Sequence, residues 1–147
     1  PTLDSAAFDR QWMVNVMGTV AITRAAAQKI SDGGRIVFIG SGLGTRAIVP
    51  GIADYAGTKA AIAGYARGVQ RDLGPRNITV NVVQPGIMPT DMTGEVAENF
   101  PQAVIDMHPI RRIATIEEVA GAVSYLVSPA ASYTAGAVID VSGGVLV

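Results

Sequence analysis

Tyr55 and Lys59 are the residues whose types and spacing most clearly suggest chemistry. They stand four positions apart, so a helix over this stretch would place the phenol and the ammonium group on one face. A free phenol has a pKa of about 10, and a nearby cation stabilises its ionised form. Such a pair can exchange a proton with a carbonyl or alcohol oxygen at ordinary pH. Because the spacing also arises by chance, an interfacial tyrosine and a solvated lysine are the alternative.

The composition narrows the class of protein. Of the 147 residues, 49% are hydrophobic and 16% are charged, and the net charge is −1. These values indicate one domain with heavily covered elements, and they argue against nucleic acid or an anionic membrane as a partner. The chain has no cysteine, so thiolate metal sites are excluded, and we predict no metal site. Neither a transmembrane segment nor a signal peptide is recognisable, which fits a cytoplasmic protein.

Alternating helix and strand patterns run along the chain and give the elements that must position the pair. Near-helical spacing of apolar residues predicts helices, and short continuous apolar runs predict strands that are buried on both faces. The predicted order is helix, strand, helix, strand, helix, helix, strand, with a Thr115 cap before the last helix. The helices cover about 5–30, 54–73, 95–107 and 116–127, and the strands cover about 35–40, 78–83 and 137–141.

This order predicts an α/β fold with a parallel sheet, because strands separated by helices are joined by right-handed crossovers. In such sheets ligands bind beyond the carboxyl ends of the strands. The loop that follows Gly40 carries Ser41, and the loop that follows Val83 begins with Gln84-Pro85-Gly86. Both loops leave that edge of the sheet, so we expect a functional site there, next to Tyr55.

Several motifs together resemble those of the short-chain dehydrogenase/reductase family, in the order in which that family carries them. The resemblance covers essentially the whole chain and is strongest to the single-domain branch that includes 3-oxoacyl-acyl-carrier-protein reductases. The motifs are Val14-Asn15-Val16-x-Gly18, Ile39-Gly40-Ser41-x-x-Gly44, Tyr55-x-x-x-Lys59-Ala60-Ala61, Ile78-Thr79-Val80-Asn81-x-Val83-x-Pro85-Gly86-x-x-x-Thr90 and Tyr133-Thr134-Ala135-Gly136-x-Val138-Ile139-Asp140-Val141-x-Gly143-Gly144.

The resemblance implies an NAD(P)-dependent oxidoreductase that moves a hydride between nicotinamide and a carbonyl or alcohol substrate. Tyr55 would be the general acid or base, and Lys59 would assist it and bind the nicotinamide ribose. Ser41 would hold the substrate oxygen, and Asn15 would hold a water that links Lys59 to solvent. Ser41 stands one residue further from Tyr55 than is commonest in the family, and Gly42, at the commonest position, has no hydroxyl.

The same resemblance implies which residues contact the cofactor. Besides Tyr55 and Lys59, these are Pro85, Gly86, Ile87 and Thr90, with Gly86 allowing a close backbone approach and Thr90 offering a hydroxyl. His108 and the pair Arg111-Arg112 have no such role. We expect His108 to be structural or solvated and the arginines to make structural pairs or subunit contacts.

One part of the family pattern is missing. No Gly-x-Gly-x-x-Gly turn lies between a strand and a helix, so the chain lacks the dinucleotide fingerprint that holds the pyrophosphate. Residues 1–147 are therefore predicted to be the C-terminal portion of a single Rossmann-type domain, a partial doubly wound parallel sheet of three strands. The strand at 35–40 would then form an exposed apolar edge. The choice between NAD and NADP, and activity of these residues alone, would depend on the missing region.

Two other functions stay open. An extended-branch epimerase or dehydratase also uses Tyr-x-x-x-Lys, although few residues follow Pro85-Gly86 to build its substrate domain. The other is a catalytically incompetent fragment that acts as a binding or oligomerisation module. The long apolar helices at 5–30 and 54–74 resemble the surfaces with which the family forms dimers and tetramers, so we expect a homodimer or homotetramer.

Overall fold

The computed structural model describes residues 4–91 and 101–146. The elements follow the predicted order of helix, strand, helix, strand, helix, helix, strand, with the first helix in three parts. They are α1 Ser5–Trp12, a π-helical segment Met13–Gly18, α2 Thr19–Lys29, β1 Arg35–Ile39, α3 Ala53–Leu73, β2 Thr79–Pro85, α4 Gln102–Asp106, α5 Ile116–Val127 and β3 Val138–Val141. Of the helix predicted at 95–107, residues 95–100 lie outside the described part.

The first helix begins where its cap was predicted but is not a uniform α-helix. The Asp4 side chain accepts a hydrogen bond of 2.8 Å from the amide of Ala7, which closes the first turn. The helix predicted from 5 to 30 is continuous from Ser5 to Lys29, but its Met13–Gly18 segment has π-helical turns. The Thr19 hydroxyl donates a bond of 2.8 Å to the Asn15 carbonyl and so satisfies an acceptor in the widened turns.

The three strands form one parallel sheet in the order β1-β2-β3. Arg35 of β1 pairs with Thr79 of β2, and Val82 of β2 pairs with Val138 of β3. The predicted end of β2 at Val83 was too early. The strand continues to Pro85 because β3 pairs with it there, and a proline is tolerated as the last residue of a strand that donates no further bond.

Helices cover both faces of this sheet, as a doubly wound fold requires. On one face α3 packs its Ile62, Ala66 and Val69 against Val80 and Val82 of β2. On the other face α5 packs Val119 and Leu126 against Val83. Each valine, leucine or isoleucine among them contributes about 1.5–3 kcal/mol when fully buried. The alternation along β2 therefore confirms the predicted α/β class and places the core on both sides of the central strand.

β1 is at one edge of the described sheet, as predicted. Its side chains and those of α2 line an open apolar groove that includes Ile22, Ile36 and Ile39. Ile22 and Ile39 are both exposed. Among the described residues, no helix has the length and apolarity needed to cross a bilayer.

Candidate active site

The first turns of α3 present Tyr55 and Lys59 together. The Lys59 Nζ lies 5.7 Å from the centroid of the Tyr55 ring, so the spacing does place both groups on one face. The same Nζ donates a hydrogen bond of 3.2 Å to the carbonyl oxygen of Ile39, the last residue of β1. The pair is thus fixed to the carboxyl end of a strand, where the sequence placed the site.

Partial burial changes the chemistry of the lysine. Loss of hydration lowers the pKa of the Lys59 ammonium below its ordinary value of 10.5. One of its three N–H groups is used by the Ile39 carbonyl, so two remain for other acceptors. The ammonium of Lys59 is thus partly shielded from water and lies beside a phenol.

Ser41 begins the loop that leaves β1 and is buried. Its Oγ accepts a bond of 3.3 Å from the Leu43 amide and so caps the short 3₁₀ turn Gly42–Gly44. A hydroxyl that accepts one bond keeps its hydrogen for another partner. Ser41 can therefore still donate to an oxygen in the adjoining cavity.

Gly44 allows this loop to lie directly on α3. A Cβ at Gly44 would come within 2.7 Å of the backbone nitrogen of Ala60, a distance that side chains do not tolerate. The close approach sets the Ser41 loop against the turn of α3 that carries Lys59.

Asn15 reaches the same turn of α3 from the π-helical segment. Its Nδ2 donates a bond of 3.1 Å to the hydroxyl of Thr58, and that hydroxyl donates a bond of 2.7 Å to the carbonyl of Tyr55. The structure thus brings Asn15, Tyr55 and Lys59 together. Sequence reasoning missed Thr58, although its place directly before Lys59 in a motif of small residues was the available signal.

A cavity of about 230 Å³ opens beside Ser41. It is bounded by the loops that leave the carboxyl ends of all three strands, represented by Ser41, Gly86 and Ser142. None of the described lining residues is an aspartate, glutamate, lysine or arginine. Its walls are mostly apolar, from Ile48, Val49, Val104, Met107, Val145 and Leu146.

The predicted cofactor-contacting segment follows β2 at the same edge. Pro85, Gly86 and Ile87 line the cavity, whereas Thr90 is partly buried and is not among its described lining residues. A Cβ at Gly86 would come within 2.9 Å of the Cα of Ser142. Glycine is therefore required there for packing against the loop after β3, a reason that the sequence did not supply.

His108 was predicted to be either structural or solvated, and the second alternative is wrong. It is only 3% exposed, its Nδ1 lies 2.9 Å from the carbonyl of Val104, and its Nε2 has no hydrogen-bond partner among the described residues. It lines the apolar cavity and a neighbouring one of about 420 Å³.

The predicted structural pairing of Arg112 is confirmed by its contact of 2.6 Å with Glu118. No cluster of metal-ligating side chains occurs within residues 4–91 and 101–146.

Comparison with known proteins agrees with this architecture. Residues 2–146 match the family profile described as enoyl-(acyl carrier protein) reductase. The chain is 40% identical over 139 residues to the 3-oxoacyl-[acyl-carrier-protein] reductase MabA of Mycobacterium tuberculosis, covering 93% of this chain and 56% of that protein. It is 41% identical over 143 residues to the cyclic-di-GMP-binding biofilm dispersal mediator protein of Escherichia coli, covering 96% and 59%.

Solved structures give the same result. A short-chain dehydrogenase/reductase from Serratia marcescens superposes with a TM-score of 0.92 at 41% identity, covering 99% of this chain and 59% of that one. A short-chain dehydrogenase from Burkholderia cenocepacia in complex with NADP superposes with a TM-score of 0.91 at 36% identity, with the same coverage. The chain spans less than two thirds of the length of these relatives. It belongs to the short-chain dehydrogenase/reductase family.

Proposed function

We propose that the protein is an NAD(P)-dependent oxidoreductase that interconverts a carbonyl compound and an alcohol. The observation that carries the proposal is the placement of the Tyr55 phenol and the Lys59 ammonium on one face of α3, tied to the end of β1. Such an arrangement supports proton transfer to or from an oxygen at the carboxyl edge of the sheet. When bound, the nicotinamide cofactor supplies or takes the hydride.

Each side chain of the site then has a separate task. Tyr55 donates a proton to the substrate oxygen in reduction and removes it in oxidation. Lys59 stabilises the phenolate that is left behind, because its ammonium is close to the ring and partly shielded from water. Ser41 keeps a hydroxyl hydrogen available to hold the same oxygen, which lowers the energy of the charge that develops on it. Asn15 supports the first turns of α3 through its hydrogen bond to the Thr58 hydroxyl.

The residues present fit the nicotinamide end of such a cofactor. Gly86 adds no side chain at the edge of the sheet, and Pro85 and Ile87 form apolar surface beside it. Lys59 has two N–H groups that can donate to ribose hydroxyls. The family resemblance also implies a cofactor contact for Thr90, which follows Ile87 by three residues. Two structural relatives are described as complexes with NADPH and NADP, and we propose NAD or NADP for this protein. The Gly-rich pyrophosphate turn is not in residues 1–147, so we propose that they form the C-terminal portion of one domain.

The cavity favours an uncharged carbonyl substrate with an apolar body. Its described walls offer the hydroxyl groups of Ser41 and Ser142, the imidazole of His108 and otherwise apolar surface. An anionic group would lose its hydration there without gaining a lysine or arginine partner among the described lining residues. Several relatives are named as 3-oxoacyl-[acyl-carrier-protein] reductases, and a 3-oxoacyl chain has this character.

The test is reduction of neutral 3-oxo esters by the full-length gene product with NADH and NADPH. Tyr55→Phe removes the proton donor and should lower kcat by about 10²–10⁴-fold. Cofactor binding, followed by nicotinamide fluorescence, should be retained. Tyr133→Phe is the matched control, because Tyr133 is fully exposed. Near-normal turnover of Tyr55→Phe would refute the proposed role.

A binding role is the second candidate, because one relative is named as a cyclic-di-GMP-binding protein. Titration of the same gene product with cyclic di-GMP, in parallel with the nicotinamide cofactors, separates the two functions. Binding of cyclic di-GMP with no turnover of any carbonyl substrate would favour the binding role.

We also propose that the protein is cytoplasmic and that it forms a homodimer or homotetramer. The assembly is supported by an exposed apolar surface on the π-helical segment, where Met13, Val14 and Met17 are 61%, 66% and 54% exposed. Side chains of this size are seldom left uncovered together on one element. Light scattering on the full-length protein tests the assembly, and Met17→Glu should shift it toward the monomer.

A further inference from the structure

Thr58 is fully buried, with 0% of its surface exposed, although it stands in a helix that begins only five residues earlier. Its hydroxyl uses both hydrogen-bonding capacities. It donates to the carbonyl of Tyr55 at 2.7 Å and accepts from the Nδ2 of Asn15 at 3.1 Å. The second bond joins residues 43 positions apart in the sequence.

A threonine in a helix often bonds to the carbonyl of the preceding turn, and that bond alone indicates no special role. Thr23 of α2 is such a case, because it is also buried and its hydroxyl donates only to the carbonyl of Thr19. Thr58 differs because its hydroxyl also receives a long-range bond. It also stands directly between Gly57, which packs on the Trp12 ring, and Lys59.

From this geometry we propose that Thr58 is a positioning residue for the reaction. It joins the π-helical segment to the first turns of α3, and it does so at the backbone of Tyr55. The proposal rests on the proposed oxidoreductase function. Thr58 contacts no reacting atom; it fixes the direction in which the phenol and the ammonium leave the helix. A displacement of about 1 Å in such a group can cost on the order of 10²-fold in rate.

The proposal also changes the task of Asn15. Its Nδ2 is engaged with Thr58, so the side chain acts within the protein and only its remaining polar atoms are available to a water. Asn15 and Thr58 then form one functional unit. Residues that act as a unit show strongly non-additive effects when they are substituted together.

The experiment compares Thr58→Val, Thr58→Ser and Thr23→Val in the full-length protein. Thr58→Val keeps the shape but removes both bonds, so we expect kcat to fall by about 10–100-fold with KM changed by less than about threefold. Thr58→Ser should retain kcat within about threefold, because it keeps the hydroxyl. Thr23→Val should leave kcat unchanged.

Two further readouts separate positioning from a merely structural role. Binding of the nicotinamide cofactor to Thr58→Val, followed by nicotinamide fluorescence, should stay within about threefold of wild type, because the loss falls on kcat. Asn15→Ala combined with Thr58→Val should be no slower than the slower single variant. Additive losses in the double variant, or a normal kcat for Thr58→Val, would overturn the proposal.

If Thr58→Val does not fold, Thr58→Ala and Asn15→Ala provide the same comparison, with thermal unfolding as the control for folding. The two proposals fail separately. An active Tyr55→Phe variant would refute the oxidoreductase mechanism itself. An inactive Tyr55→Phe variant together with a fully active Thr58→Val variant would refute only the positioning role.

Discussion

The ammonium nitrogen of Lys59 lies 3.2 Å from the carbonyl oxygen of Ile39, so the helix that carries the phenol is tied to the last residue of β1. This bond crosses from the helix layer to the sheet. It explains why the lysine is partly buried and why its position depends on the end of the strand. The same burial lowers the pKa of its ammonium.

Lysine modification at varied pH should detect that lowered pKa directly. Lys59 should reach half of its maximal rate of reductive methylation at a lower pH than Lys29, because its free amine forms earlier. The chain has only these two lysines, and Lys29 is exposed, so it is the internal control. Peptide mass spectrometry measures both residues in one sample. Equal midpoints for the two lysines would contradict the prediction.

Glu118 should make the protein lose stability in acid. Hydrogen bonds from the Arg112 guanidinium and the Thr115 amide lower the pKa of its carboxyl from 4.5 to about 2. A carboxyl with a depressed folded-state pKa stabilises the fold above the unfolded value of 4.5, and this contribution is lost as pH falls toward 2. Glu118→Gln should therefore flatten the dependence of the unfolding free energy on pH in this window.

The matched control for that experiment is Glu117→Gln, in the same turn of α5 but outside the ion pair. Urea unfolding of both variants and the wild type, between pH 2 and pH 4.5, gives the comparison. Because Glu118 and Arg112 are exposed, the effect is small and weakens with added salt. Identical pH dependence of Glu118→Gln and wild type would show that the ion pair contributes nothing.

Gly44→Ala should destabilise the loop that carries Ser41. Its Cβ would meet the α3 backbone at 2.7 Å, and overpacking of this kind costs about 1–3 kcal/mol. Gly68→Ala is the contrasting variant, because an added Cβ at Gly68 meets no atom within 4 Å and alanine favours a helix by about 0.5–1 kcal/mol. Chemical denaturation should give opposite signs for the two variants, and a neutral Gly44→Ala would argue against the close packing.

Leu146→Ala should change which carbonyl compounds are preferred. Leu146 lines the apolar cavity and fills the space above Gly42, so its truncation lengthens the pocket. Specificity, measured as kcat/KM across neutral 3-oxo esters of increasing chain length, should move toward longer chains, by about 10-fold for the first methylene that only the enlarged pocket accepts. Val127→Ala, at an exposed position of α5, should leave the ranking unchanged. An unchanged ranking for Leu146→Ala would mean that the substrate does not occupy this cavity.

Much of the fold follows from local patterns in the sequence. The strands predicted at 35–40 and 78–83 are both present, and Thr115 begins α5 with a full capping box. The prediction that the first strand is buried on both faces was wrong for the described sheet, because Ile39 is exposed at its edge. These signals are local because burial and capping act over a few residues. The proximity of Tyr55 and Lys59 was predictable for the same reason, since helical spacing alone decides it.

The features that sequence reasoning missed depend on contacts between distant residues. The end of β2 is decided by its pairing with β3, and the burial of His108 is decided by the loops around it. Thr58 looks like an ordinary helical residue until the structure brings Asn15 to its hydroxyl. No periodicity records such partners. Catalytic roles were predicted for Asn15, Ser41, Tyr55 and Lys59. These roles remain predictions, and the variants described above can test them.

The π-helical segment Met13–Gly18 lets this region hold one residue more than a continuous α-helix between the same flanking turns, because π-helical turns are wider. Loss of one residue from this segment would let the α-helical bond pattern continue from α1 into α2. Trp12 would then keep its place beside Gly57 of α3, but the wide turn that presents Asn15 to Thr58 would be gone. A one-codon deletion in this stretch should therefore break the bond between Asn15 and Thr58 while leaving the first helix folded.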